Sequence, residues 1–123
     1  MQLYGKTTSH ELQLARERYP EESTFIPSTD SGLELRSFGD THASFFVNDD
    51  GAAVVVELWT APHARGRGSA VKLLRLLNEF ESEGPLQIIA NHDAAPYYEK
   101  LGYRHLTNNV FVFAPTAPPA PTL

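Results

Sequence analysis

The chain has 123 residues, of which 41% are hydrophobic and 20% charged, a length and balance that fit one folded domain and exclude a largely disordered or fibrous protein. It has no cysteine, which excludes disulfide bonds, thiolate metal sites and a cysteine nucleophile. Ten Lys and Arg against fifteen Asp and Glu give a net charge of −5, which disfavours binding a nucleic acid over a broad surface. We therefore expect no nucleic-acid partner.

Signals for export or membrane insertion are not apparent in the sequence. The N-terminal residues contain no basic stretch followed by an apolar run, and no apolar segment approaches the roughly 20 residues that cross a bilayer. We expect a cytoplasmic protein that does not bind membranes and is either a monomer or a homodimer.

The N-terminal region is predicted to form a short strand, Gln2 to Tyr4, followed by one helix. Thr8 and Glu11 have the spacing of a capping box, in which each side chain binds the backbone amide of the other residue. Pro20 ends this helix because it has no amide hydrogen to donate. From Pro20 to Gly32 no periodicity is evident, and we expect a loop with at most one helical turn.

Three strands are predicted next. Leu33 to Phe38 and His42 to Val47 flank the turn dipeptide Gly39-Asp40, which favours an antiparallel pair. Ala52 to Thr60 is the most continuous apolar and β-branched run in the chain, as expected of a central strand.

A long amphipathic helix is predicted after Pro62. Gly84 and Pro85 end it, and Leu86 to Ala90 then reads as a short buried strand. Because a helix joins this strand to Ala52–Thr60, we expect the two strands to run parallel. The helix has one apolar stripe, formed by Ala70, Leu73, Leu74, Leu77 and Phe80.

The last third of the chain is predicted to hold a short helix and a hairpin. Asp93 is expected to cap the helix, which ends at Leu101-Gly102. Tyr103 to Leu106 and Val110 to Ala114 form two strands around the turn Asn108-Asn109.

The predicted elements belong to a single α/β domain over residues 1–114. Residues 115–123 are rich in proline and have nothing to bury. We expect them to form a flexible tail.

The segment RGRGSA, Arg65 to Ala70, lies between the central strand and the long helix. Gly66 and Gly68 let the backbone turn sharply and approach a ligand, while the free amides of a new helix face outward with the positive end of its dipole. These features favour a phosphate site, although a plain glycine-rich connection has the same composition. Positive charge is also concentrated here within an acidic protein, on Arg65, Arg67, Lys72 and Arg75.

This segment resembles the acetyl-CoA loop of the GNAT superfamily of N-acetyltransferases, Q/R-x-x-G-x-G/A, with Arg65, Gly68 and Ala70 at the defining positions. A second match lies downstream, where NHDAAPYYEKLGY is similar to the family's segment of an Asn, a short helix with a Tyr, and a closing Leu-Gly-Phe/Tyr. Asn91 stands at the Asn position of the family and Tyr98 at its catalytic Tyr position. Two motifs with a strand between them are more specific than either alone.

The resemblance implies a mixed, mostly antiparallel sheet flanked by helices, whose two parallel central strands splay apart. It also implies acetyl-CoA as the co-substrate, bound in the splay with its pantetheine alongside the central strand. The residues implied in binding it are Leu58, Trp59, Thr60, Arg65, Gly66, Arg67, Gly68, Ser69, Ala70 and Asn91.

Direct acetyl transfer needs a base for the amine proton and an acid for the departing thiolate. The resemblance makes Tyr98 the acid, and a buried core tyrosine is the alternative. Glu57 interrupts the apolar strand VVVELW, where an unpaired carboxylate would be costly, so it should face a cleft and is the first candidate for the base. A solvent-facing Glu57 is the alternative, and His63 and His92 are rival bases because both lie in loops beside the site.

With no cysteine and no metal-ligand spacing, we expect a ternary complex, no acetyl-enzyme and no metal. The rate should rise with pH as the amine loses its proton and fall when Tyr98 loses its own.

Two functions remain open from the sequence. The first is an N-acetyltransferase acting on a primary amine, which could be a small molecule, a lysine side chain or a protein N-terminus. The second is a non-catalytic GNAT-fold module that binds acetyl-CoA or a protein partner as a regulator. Tyr98 and Glu57 favour the first function, which we expect. Only one convincing helix precedes the second strand, where family members commonly have two, and this favours the second function.

Overall fold

The computed structural model describes residues 4–28, 30, 32–90, 93–107 and 109–113. Within them lie three α-helices, α1 (Ser9–Arg18), α2 (Ser69–Phe80) and α3 (Ala95–Lys100), and short 3-10 helices at Pro20–Glu22 and Pro62–Ala64. Seven strands are described, β1 (Tyr4–Lys6), β2 (Glu34–Phe38), β3 (Thr41–Val47), β4 (Ala53–Thr60), β5 (Gln87–Ile89), β6 (Arg104–Thr107) and β7 (Val110–Val112).

The strands form one sheet in the order β1-β2-β3-β4-β5-β7-β6. Only β4 and β5 run parallel among these described strands, pairing Val54 with Gln87 and Val55 with Ile88, while the other neighbours are antiparallel. The crossover between β4 and β5 contains α2, as expected for parallel neighbours. The predicted α/β fold with a parallel central pair is therefore confirmed.

The sheet opens where β4 and β5 stop pairing. The described pairing ends at Val55 and Ile88, whereas β4 continues to Thr60. Among the described residues, β4 from Glu57 onward pairs with β3 and no longer with β5. This divergence is the predicted splay, and it leaves an open edge of backbone groups on β4.

A β-bulge in β4 coincides with this opening. Ser44 of β3 pairs with Glu57 and Phe45 with Val55, so Val56 is an extra residue in β4. A bulge of this kind shifts the alternation of side chains between the two faces of a strand. Val55 and Leu58, three residues apart, accordingly pack in the same core cluster. The bulge thereby moves Glu57 out of that core.

The main core lies between α2 and the sheet. Leu73, Leu74 and Leu77 of α2 are fully buried and belong to one cluster with residues of β3, β4, β5 and β7. Phe80 was predicted in the same stripe, but this prediction is wrong because its side chain is 61% exposed. Phe80 is the last residue of α2, and its ring centre lies 5.8 Å from that of Tyr4 in the edge strand β1.

A smaller cluster packs α1 and the loop after it against the other face of the sheet. It buries Leu12, Ile26, Trp59 and Ala61. The capping box at the start of α1 is confirmed, because the Thr8 hydroxyl accepts from the Glu11 amide and Glu11 accepts from the Thr8 amide. This helix and the 3-10 helix after it fit the predicted single helix and helical turn.

Several predicted boundaries change in the structure. The first strand is Tyr4–Lys6 instead of Gln2–Tyr4, and residues 2 and 3 lie outside the described part. Asp93 does not cap α3, because Ala94 occupies the N-cap position and no side chain caps the helix. The antiparallel pair of β6 and β7 is confirmed, whereas Asn108 and the predicted tail, residues 115–123, lie outside the described residues.

None of the described helices has the length and apolar character of a membrane-spanning segment.

An ion pair fastens the end of α2 to the edge of the sheet. Arg36 Nε donates to Glu81 Oε2 at 2.9 Å, and the Tyr4 hydroxyl donates to the same oxygen at 2.6 Å. The Arg36 guanidinium also lies 5.4 Å from the centre of the Phe45 ring. Burial alone would raise the pKa of Glu81, but the hydrogen bonds from Tyr4 and Arg36 hold it below its ordinary value.

Glu81→Gln is expected to lower the free energy of unfolding by about 2 kcal/mol near neutral pH, since Arg36 would lose a charged partner that is largely buried. Because the folded-state pKa of Glu81 lies below its ordinary 4.5, its contribution is present above pH 4.5 and is lost as pH falls through the folded value. Urea denaturation at neutral and acid pH checks both points. Glu79→Gln, on the exposed side of α2, is the control, and an equal loss in both variants would contradict the prediction.

Candidate active site

Two cavities adjoin at the opening between β4 and β5. The larger one, here called the loop-side cavity, has a volume of about 850 Å³ and lies between the end of β4, the start of α2, and α3. It is lined by predicted cofactor-binding residues, namely Leu58, Trp59, Thr60, Arg65, Gly66, Gly68, Ser69 and Ala70, together with Tyr97 and Tyr98.

The RGRGSA loop borders this cavity. Gly66 and Gly68 both have a φ of +79°, a conformation that glycine adopts readily and other residues rarely do. Gly68 is the N-cap of α2, and no backbone hydrogen bond is made by the amides of residues 66–71 to other described residues. These unpaired amides and the helix dipole make the start of α2 suitable for an anion.

The side chain of Arg65 anchors the loop. Its Nε donates to the Thr60 carbonyl at 2.8 Å, and its Nη2 donates to Oε1 of Glu22 in the first 3-10 helix. Trp59 Nε1 donates to the same Glu22 oxygen at 3.1 Å. The hydrogen bond from Arg65 lowers the pKa of Glu22. Arg67 is also exposed but, unlike Arg65, does not line the cavity.

The smaller cavity, here called the carboxylate-side cavity, has a volume of about 390 Å³ and contains Glu57. Glu57 Oε1 accepts three hydrogen bonds, from the Ser44 hydroxyl at 2.6 Å, the Ser28 amide at 2.8 Å and the Ser28 hydroxyl at 3.1 Å. Its Oε2 accepts none from the described residues. The carboxylate is therefore held in one orientation with one oxygen available to a ligand.

Tyr98 forms part of the wall of both cavities. Its side chain is buried, with ring centres 5.8 Å from Tyr103 and 6.0 Å from Phe111. No described residue forms a hydrogen bond with its hydroxyl. Burial raises the pKa of Tyr98 well above its usual value, and the nearby Tyr97 adds to the shift. Tyr98 thus combines core packing with a hydroxyl that keeps its proton at neutral pH.

Neither of the two histidines predicted as rival bases is found in the two cavities of the described structure. His63 lines neither of the two cavities; its Nδ1 lies 2.9 Å from the Tyr19 hydroxyl and its Nε2 2.9 Å from Asp40 Oδ2. His92 lies outside the described residues, as does Asn91, which was predicted to bind the cofactor. In the part of the chain that is described, no cluster of side chains suited to a metal ion occurs.

Four residues of this region were not predicted as site residues from the sequence: Glu22, Phe25, Ser28 and Ser44. Three of them, Glu22, Phe25 and Ser28, come from the loop after α1, which has no periodicity, so no pattern placed them beside β4. Ser44 could have been found once the register was known, because it pairs directly with Glu57.

The family model described as an acetyltransferase (GNAT) domain matches residues 37–105, more than half of the chain. The chain belongs to the GNAT acetyltransferase family. The matched residues of this GNAT domain include β3, β4, the RGRGSA loop, α2 and α3. No curated protein matches the sequence.

Solved structures share this GNAT fold at low sequence identity. The ribosomal-protein-S18-alanine N-acetyltransferase of Escherichia coli has a TM-score of 0.64 and 18% identity, over 87% of this chain and 80% of that one. The Escherichia coli protein YhhK, bound to coenzyme A, has a TM-score of 0.66 and 11% identity, over 93% and 99%. A bacterial toxin has a TM-score of 0.63 and 13% identity, over 93% and 90%. Identities this low show a common fold alone.

Proposed function

We propose that this chain is an acetyl-CoA-dependent N-acetyltransferase that moves the acetyl group directly to a primary amine. The observation that carries the proposal is the position of Tyr98, which borders both the loop-side cavity and the cavity that contains Glu57. A thioester reaching Tyr98 from one cavity would meet an amine held by Glu57 in the other. Such an arrangement brings an acid and a base to opposite sides of one reacting carbon.

The cofactor is proposed to lie along the splay. Its pyrophosphate would accept hydrogen bonds from the amides of residues 66–70, where the α2 dipole is positive. Its pantetheine would run beside the open edge of β4, where main-chain groups can pair as in an added strand. Membership of the GNAT family supports this pose, as does the bound coenzyme A of YhhK, which has the same fold. Arg65 would act indirectly, by holding the loop to Thr60 and Glu22.

The transfer is proposed to proceed in one ternary complex. The amine nitrogen, neutral after losing a proton, attacks the thioester carbonyl, so that a C–N bond forms and the C–S bond breaks. The second proton leaves the nitrogen for Glu57 Oε2, directly or through a water, and the thiolate takes a proton from the Tyr98 hydroxyl. Solvent then restores both side chains. The products are the N-acetyl amine and free coenzyme A.

Burial of Tyr98 refines the expected pH dependence. Because burial raises the pKa of Tyr98 above the usual 10.0, the hydroxyl keeps its proton over the pH range in which the amine loses its own. The rate should therefore rise with pH and reach a plateau without the fall expected near pH 10 from an ordinary tyrosine.

The non-catalytic alternative rests on the short region before β2, which has one α-helix and one 3-10 helix in the described residues. That region nevertheless supplies Ser28 to Glu57 and Phe25 to both cavities. An acceptor site therefore has walls on both sides of the splay, which favours the enzyme.

Gly68→Ala is expected to weaken coenzyme A binding by about tenfold or more, equivalent to about 1.4 kcal/mol, because a side chain would stand where the loop approaches the pyrophosphate. Calorimetric titration with coenzyme A measures this loss. Gly32→Ala is the matched control, since Gly32 also has a positive φ and open space around it but does not line the loop-side cavity. Equal affinity in Gly68→Ala and the wild type would contradict the loop assignment.

Tyr98→Phe is expected to lower kcat by about 100-fold, the low end for loss of a general acid, with little change in coenzyme A affinity. Thiol release from acetyl-CoA in the presence of an amine measures kcat. Tyr103→Phe is the control, because Tyr103 is equally buried beside the Tyr98 ring but lines neither cavity.

An unchanged kcat in Tyr98→Phe would reduce Tyr98 to a packing role. Coenzyme A binding by the wild type without turnover of any amine in a broad panel would instead support the regulatory module.

A further inference from the structure

The charged residues around the carboxylate-side cavity limit the number and sign of the charges that an acceptor amine can carry. Glu57 is the one carboxylate among its described lining residues, and no Lys or Arg lies among them. Three donors occupy Oε1 of Glu57, which leaves Oε2 to interact with one amine. A second ammonium group on the acceptor would lack a carboxylate, and an anionic group would lack a cation. Either group would lose hydration on entry without a compensating partner.

Apolar side chains and polar groups share the rest of the lining. Six of its ten described residues are apolar, namely Phe25, Val56, Leu58, Ile89, Ala90 and Ala94. Phe25 is 66% exposed and Ile89 41% exposed, although both are large hydrophobic side chains. Covering them with an apolar ligand would be favourable, by about 25 cal/mol for each Å² removed from water. The two residues lie on opposite sides of the splay, one in the loop after α1 and the other at the end of β5.

From this arrangement we infer that the acceptor is a primary amine that carries a single positive charge on an apolar or aromatic body. The inference rests on the proposed function and adds the substrate class to it. The amine lies at Glu57 Oε2 and Tyr98, and the apolar body covers Phe25 and Ile89. Polyamines, and amines that bear a phosphate or carboxylate, are poor acceptors.

A panel of matched amines tests the substrate class by kcat/KM. Phenethylamine supplies one charge and an aromatic body, and putrescine and spermidine supply additional charges without an apolar body. Phenylalaninamide and phenylalanine differ by a carboxylate next to the amine. We expect phenethylamine to exceed putrescine and spermidine by about tenfold or more, and phenylalaninamide to exceed phenylalanine similarly, since each disfavoured group loses hydration worth about 1.4 kcal/mol or more.

Phe25→Ala tests the apolar contact separately. The substitution is expected to lower kcat/KM for phenethylamine by about tenfold, because the aromatic body loses apolar surface to cover. For ethylamine, whose body is too short to cover that surface, a change of less than about threefold is expected. Leu106→Ala removes an equally exposed apolar side chain on β6, which lines neither cavity, and should leave both amines unaffected.

The outcomes separate the inference from the proposed function. Faster acetylation of putrescine, spermidine or phenylalanine would overturn the inference while leaving the N-acetyltransferase intact. An equal loss for phenethylamine and ethylamine in Phe25→Ala would also overturn it, since Phe25 would then shape the fold and not the acceptor. Absence of turnover with every amine would overturn both, and coenzyme A titration would show whether the cofactor site survives.

Discussion

The site depends on one extra residue in β4. Val56 has no partner of its own in β3, and the alternation of side chains therefore shifts between Val55 and Leu58. Without the bulge, Glu57 would share a face with Val55 and enter the core beneath α2, where a carboxylate would be costly. With it, Glu57 lies opposite Ser44 on the other face and accepts its hydroxyl hydrogen. The position of the bulge also coincides with the end of pairing to β5.

The loop after α1 holds the open part of β4 from the other side. Glu22 accepts hydrogen bonds from Trp59 and Arg65, and Ser28 donates twice to Glu57. This short segment therefore contacts β4 next to the RGRGSA loop and again at the candidate base. Such contacts make the region before β2 part of both cavities in spite of its small size. Phe25, between these two anchors, lines both cavities.

The sequence was informative where the signal is local. The apolar run of β4 and the helix that follows it predict the parallel pair, and the glycines at 66 and 68 predict a sharp turn before α2. Glu57 was predicted to face a cleft because a carboxylate within an apolar strand needs a partner. Its actual partners could not be predicted, since Ser28 is 29 residues away in the chain and lies in a loop with no periodicity.

Other features of the structure could not be predicted correctly from the sequence, because they depend on tertiary packing. Nothing in the run VVVELW indicates which residue is extra, since every residue there is compatible with a regular strand. The α2 stripe continues to Phe80 by periodicity, but the sheet beneath it ends at the three-residue strand β1. Asp93 has the chemistry of an N-cap, yet α3 begins with Ala94 in that position. The bulge and the end of the stripe are set by neighbouring strands, which local propensity does not encode.

We propose above all that coenzyme A lies in the splay with its sulfur between the loop-side and carboxylate-side cavities. A crystal structure of the chain with coenzyme A tests it most directly. We expect the pyrophosphate on the backbone amides of residues 66–70, the pantetheine beside the open edge of β4, and the sulfur next to the Tyr98 hydroxyl. Coenzyme A bound elsewhere, or a sulfur that lies outside the opening between β4 and β5, would contradict it.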